Sequence, residues 1–119
     1  MELTTANIVK TEVRDDVHIV EFLGGEVRGE TEIHRVLQEL GSFIDDNAGA
    51  KLLINMANLE YLSSAGLGNL VGLLKKSRKS HGEFKLCCLQ KSIQELFEVM
   101  RLDKIFDIFP TLDEAVSSF

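Results

Sequence analysis

The residues best placed to do chemistry are two consecutive serines, Ser63 and Ser64, followed by Ala65-Gly66-Leu67-Gly68. They lie between a short apolar run, Leu52-Leu53-Ile54-Asn55-Met56, and a stretch in which Leu67, Leu70, Val71 and Leu74 recur at helical spacing. A serine where a helix begins accepts a hydrogen bond from a free backbone N–H, so capping is the simplest role for the pair. Nucleophilic catalysis would require a base within reach of a hydroxyl. The histidines, His18, His34 and His81, all lie far from the serines in sequence, and no G-x-S-x-G elbow surrounds the pair. No carboxylate pair or metal-ligand spacing stands out, so neither enzymatic activity nor a metal or other cofactor is expected.

Gly66, Gly68 and Gly72, with Glu83 further on, superficially echo a dinucleotide fingerprint. In that fingerprint the first glycine directly follows the strand, whereas Gly66 comes 66 − 56 = 10 residues after Met56. The third glycine position falls on Val71, and no phosphate-binding G-x-x-x-x-G-K-[ST] loop is present. Nucleotide binding is the weakest reading. Cys87 and Cys88 are adjacent, a spacing that gives neither a disulfide framework nor a zinc site, and in an apolar run they read as core.

Periodicity supplies the elements that must hold these residues. Val9, Thr11 and Val13 alternate with Lys10 and Glu12, giving a half-exposed first strand; Asp15-Asp16 turns the chain into a second strand over Val17–Leu23. Ile33, Val36, Leu37, Leu40 and Ile44 predict a helix that stops near Asn47-Ala48-Gly49. The Leu52–Met56 run is apolar enough for a strand buried on both faces. The helix after the serines is closed by Gly82, and Phe84–Leu89 reads as another strand. Ile93, Leu96, Phe97 and Met100 mark a third helix, Ile105–Phe109 a short last strand, and Thr111 and Glu114 stand at capping-box spacing before a final helix. The order ββαβαβαβα predicts an α/β fold, a mixed and mostly parallel sheet with crossover helices.

The chain has 119 residues, with 13 basic against 19 acidic side chains, a net charge of −6 and a pI near 5.0. That length suits one domain spanning residues 1–119, and an acidic chain with no basic tail is a poor nucleic-acid binder. Lys75, Lys76, Arg78 and Lys79 fall in the last turns of a helix, where cations complement the negative end of the dipole. Met1 to Lys10 show no signal-peptide pattern, and no apolar run approaches the ~20 residues that span a bilayer, so a soluble, cytoplasmic protein without membrane contact is expected.

The stretch Leu53-Ile54-Asn55-Met56, Leu59 and Tyr61-Leu62-Ser63-Ser64-Ala65-Gly66-Leu67-Gly68 resembles the signature of STAS domains, named for sulphate transporters and anti-sigma-factor antagonists. The likeness continues through Lys85–Leu89, Leu96-Phe97 and Leu102–Phe106. The resemblance implies a bacterial partner-switching protein that regulates sigma-factor-dependent transcription. Its serine two places before the motif glycine, Ser64, would be phosphorylated by an anti-sigma factor that is itself a serine kinase. The unphosphorylated form would bind that kinase, and a PP2C-type phosphatase would restore it; ATP and Mg²⁺ would belong to the kinase. Glu26, Arg28, Tyr61, Ser63, Ser64, Gly66 and Leu67 are the implied contact residues. Two positions depart from the usual pattern: Ser63 replaces an acidic residue, and Arg28 replaces the aspartate of a Gly-Glu-Leu-Asp stretch. An alternative within the same fold is an unphosphorylated interaction subunit of a larger assembly, stressosome-like or transporter-associated.

Overall fold

The computed structural model describes Leu3, residues 7–23 and residues 30–119. Asp15 and Asp16 both take positive φ (52° and 67°), the backbone of a two-residue hairpin turn whose twist matches the flanking strands. This turn joins β1 (Val9–Arg14) to β2 (Val17–Phe22) in antiparallel register, Val9 opposite Phe22 and Arg14 opposite Val17. β3 (Lys51–Asn55), β4 (Glu83–Cys87) and β5 (Asp107–Phe109) then add in parallel, giving the strand order β1-β2-β3-β4-β5.

Because each parallel strand is laid down on the same side of its predecessor, right-handed crossovers carry every connecting helix to one face. α1 (Glu30–Asp46), α2 (Ser64–Lys79) and α3 (Lys91–Val99) share a single core with that face. Ile33, Val36, Leu37, Leu40 and Ile44 of α1 meet Leu67, Leu70, Leu73 and Leu74 of α2 over Leu52 and Ile54 of β3. The other face is covered by α4 (Leu112–Ser117), whose Ala115 and Val116 pack on Val17, Ile19, Leu53 and Cys87. β3 is therefore buried on both faces, as its apolar run requires.

Several boundaries differ from the periodicity reading. β1 is an edge strand; of its alternating apolar set only Val9 is buried, while Val13 is 59% exposed. Cys88 lies beyond β4, not in it: its φ of 63° turns the chain out of the strand after the buried Cys87. The last strand starts at Asp107 because Leu102–Lys104 form a 3-10 turn, entered through Arg101 at φ 60°. Thr111 caps α4 as its spacing predicts, its hydroxyl accepting the Glu114 N–H at 3.2 Å.

The left-handed residue that ends α2 is His81 (φ 62°) and not Gly82. Gly82 N–H reaches the Ser77 carbonyl and His81 N–H the Arg78 carbonyl, the paired bonds of a Schellman cap. Gly82 is needed for proximity: a Cβ there would stand 2.6 Å from the Ala50 carbonyl oxygen. Behind β4, the buried Lys85 amine donates to the Ser118 carbonyl (2.8 Å) and hydroxyl (3.0 Å) and sits 4.6 Å from the Phe119 ring centre.

Two stability outcomes follow from this packing. Gly82→Ala should lose ~1–3 kcal/mol through the backbone clash, whereas Gly72→Ala, whose Cβ meets nothing within 4 Å, should gain ~0.5–1 kcal/mol of helix stability. Urea unfolding of both variants measures this, and equal losses would contradict it. His18, packed edge-on to Phe43 with its Nδ1 buried and unpartnered among the described residues, has its pKa lowered by desolvation, partly opposed by Asp16. The folded state thus favours neutral imidazole. Its contribution is complete above the ordinary value of 6.5 and falls as pH drops below it. Unfolding curves between pH 7.5 and 5 (roughly the histidine range) should show this slope, and His18→Phe should flatten it.

Candidate functional site

The loop between β3 and α2 is fixed from three directions. Asn55 Oδ1 accepts the Ala57 N–H at 3.0 Å, turning the chain as the strand ends. Asn58 Nδ2 donates to the Phe22 carbonyl at 2.9 Å, tying the loop to β2. Gln90 Nε2 donates to the Ala57 carbonyl at 2.8 Å, tying it to the start of α3. Leu59 and Leu62 are buried beneath it. A loop held in this way presents its residues in one geometry.

At its end the two serines separate. Ser63 is the N-cap of α2, in extended backbone (φ −74°, ψ 167°), and its Oγ accepts the Gly66 N–H at 3.0 Å. Ser64 is the first residue of the helix; it is exposed, and its hydroxyl has no hydrogen-bond partner among the described residues. Gly66 lets the Leu62 side chain pack close under the turn: a Cβ there would come within 2.7 Å of Leu62 Cδ1, which would have to shift. The first turn of α2 holds no acidic side chain, so no residue of the helix itself offsets its free N–H groups and the positive end of its dipole.

Of the implied contact residues, Tyr61 is 71% exposed, Ser63 is half-buried and Ser64 is exposed. Gly66 and Leu67 are buried, and Leu67, 4% exposed, belongs to the core shared by α1 and α2. α2 turns its 67, 70 and 74 positions inward, so Leu67 serves the core of the fold. Glu26 and Arg28 lie outside the described residues. Gly68 and Gly72 stand inside α2 and not in a loop after a strand, which removes the dinucleotide reading. Among the described residues no three His, Cys, Asp or Glu side chains gather into a metal site.

Beside Ser63, between the N-terminal ends of α1 and α2, opens a cavity of about 260 Å³ with Glu30, Thr31, His34, Tyr61 and Asn69 among its walls. Asn69 Nδ2 donates to His34 Nδ1 at 2.6 Å, linking the two helices. Sequence spacing gave no hint of this, since His34 and Asn69 meet only through the packing of α1 on α2.

The capping assignment is testable by itself. Ser63→Ala should lower stability by ~1 kcal/mol, and Ser64→Ala should stay within about 0.5 kcal/mol of the parent, both by urea unfolding. A larger loss at Ser64 than at Ser63 would reverse their roles.

The family model for the STAS domain matches residues 9–115. The anti-sigma-B factor antagonist of Listeria monocytogenes is 30% identical over 100 residues, 84% of this chain and 86% of that protein. A 74-residue match to BtrV of Bordetella bronchiseptica, also at 30% identity, covers 62% of this chain and 64% of that one, just under two thirds of its length. An anti-sigma-factor antagonist (STAS) domain protein from Planctomyces limnophilus shares the fold, with a TM-score of 0.81 at 21% identity over 92% of this chain and 96% of its own. With its five-stranded mixed sheet and the serine-bearing helix start in the matched region, the chain belongs to the STAS domain family.

Proposed function

We propose that this protein is a cytoplasmic anti-sigma factor antagonist that binds an anti-sigma factor of the serine-kinase type and is released from it by phosphorylation of Ser64. It acts in this reading as ligand and substrate, not as an enzyme, and a PP2C-type phosphatase returns it to the binding form. The observation that carries the reading is the division of labour at the start of α2. Ser63 takes the structural hydrogen bond, which leaves the Ser64 hydroxyl exposed and uncommitted. The relatives named as anti-sigma-B factor antagonists supply the class of partner.

A phosphoryl group adds about −1.5 to −2 charge at pH 7. Placed on the first residue of a helix, it meets free N–H groups and the positive dipole end, so the fold tolerates it. The partner does not: a surface fitted to a neutral hydroxyl meets a bulky dianion. Disrupting a buried polar or charged contact in this way costs ~2–5 kcal/mol, or roughly 30- to 3000-fold in affinity. Tyr61, exposed three residues earlier, provides apolar area on the same surface.

Ser63, at a position usually acidic in related antagonists, favours a second reading in which the domain is an unphosphorylated subunit of a larger assembly. One experiment separates the two. The protein is incubated with the serine kinases of its own genome, the Ser64 peptide is analysed by mass spectrometry, and binding of the parent, Ser64→Ala and Ser64→Asp forms is measured by calorimetry. The switch requires phosphate on Ser64, parent-like binding by Ser64→Ala, and a ~30-fold or greater loss in Ser64→Asp. Binding that is indifferent to Ser64→Asp, with no phosphate found, would leave the subunit reading.

A further inference from the structure

β1 lies at one edge of the sheet. Among the described residues no strand lies on its outer side. The bond from Leu23 N–H to the Ile8 carbonyl sets the phase of the hairpin ladder, so Lys10, Glu12 and Arg14 turn their backbone groups toward β2. Val9, Thr11 and Val13 consequently direct N–H and C=O outward. Edge strands of solitary sheets are commonly shortened, bulged, broken by proline or guarded by charge; the charges of β1, Lys10, Glu12 and Arg14, alternate in sign and so can pair as well as repel. β1 is six residues long, in continuous register with β2, free of proline, and carries Val13 at 59% exposure.

We propose that β1 pairs antiparallel with β1 of a second copy of this chain, about a two-fold axis between the two Thr11 residues, joining two five-stranded sheets into one of 5 + 5 = 10 strands. In this register Val9 lies opposite Val13 of the second copy, Thr11 opposite Thr11 and Val13 opposite Val9. These are hydrogen-bonded pairs, the phase that the outward-facing groups demand. Lys10 then stands opposite Glu12 of the second copy, and Glu12 opposite its Lys10. Both fall at non-hydrogen-bonded positions, where the strands bring Cα atoms to about 4.5 Å and side chains closest together. Opposite charges facing each other there are favourable, and like charges are not.

The charge pattern selects this register over its neighbours. With the axis between the Lys10 residues, lysine faces lysine. With the axis between the Glu12 residues, glutamate faces glutamate and Lys10 faces Arg14. With the axis between the Val13 residues, Glu12 faces Arg14, but only residues 12–14 of the strand overlap. The Thr11-centred register alone combines opposite charges with five paired positions, residues 9–13. It also covers Val13. A contact made chiefly by one strand from each copy is at the small end of protein interfaces, so the dimer is weak.

The test is sedimentation equilibrium of the full chain at concentrations up to about 1 mM, the range in which a small interface is populated. The parent should show a monomer–dimer equilibrium. Lys10→Glu and Glu12→Lys should each raise the dissociation constant about tenfold or more, because like charges then face each other twice. An equimolar mixture of these two variants should regain association, since each copy meets opposite charge at both positions. Thr11→Pro removes only an outward N–H, which an edge strand tolerates; it should remain folded by circular dichroism and be monomeric. A parent that stays monomeric throughout, or a dimer that persists in Thr11→Pro and in both charge variants, would overturn the proposal.

Discussion

The direction in which the strands are added governs the architecture. Four consecutive parallel neighbours, β2 to β5, leave their connections no choice of face, so α1, α2 and α3 crowd one side and their N-termini line up along the carboxyl ends of the strands. The loop before α2 falls at the centre of that edge. It is flanked by β2 through Asn58 and by the start of α3 through Gln90. A serine on that loop inherits the rigidity of two strands and a helix start without being buried by them.

The same constraint explains why the two serines do different work. A helix start leaves several N–H groups without partners, and one side-chain oxygen satisfies one of them. Ser63, in extended backbone, has the geometry to reach Gly66. Ser64 has already entered the helix, and its side chain projects away from the axis. Gly66 completes the arrangement by letting Leu62 fill the space under the turn. The pattern Leu-Ser-Ser-Ala-Gly-Leu is thus a compact description of one anchored cap beside one free hydroxyl.

Much of this was legible from residue order. Strong periodicity placed α1, α2 and the doubly buried β3, because each has a distinctive apolar pattern set by burial. Turn chemistry placed Asp15-Asp16 and Thr111. The failures lie where the backbone departs from regular geometry or where distant segments meet. His81, Cys88 and Arg101 adopt left-handed φ values with side chains that do not advertise them. The apolar look of Leu67 was compatible with surface or core, and only the packing of α1 on α2 decides for the core. Asn69 reaching His34, 35 residues earlier, is likewise a product of tertiary packing.

The Lys85 amine, enclosed by the final residues of the chain, ties the fate of a helix end to the middle of the sheet. Terminal turns ordinarily fray at little cost and exchange their amide protons early. Here unravelling after Ala115 would strip an ammonium group of both Ser118 acceptors and of the Phe119 ring, leaving it with Glu83 at 3.9 Å and the Phe109 ring at 5.6 Å. The end of α4 is thus coupled to β4 through one buried cation, so opening that turn should cost more than the fraying of an ordinary helix end.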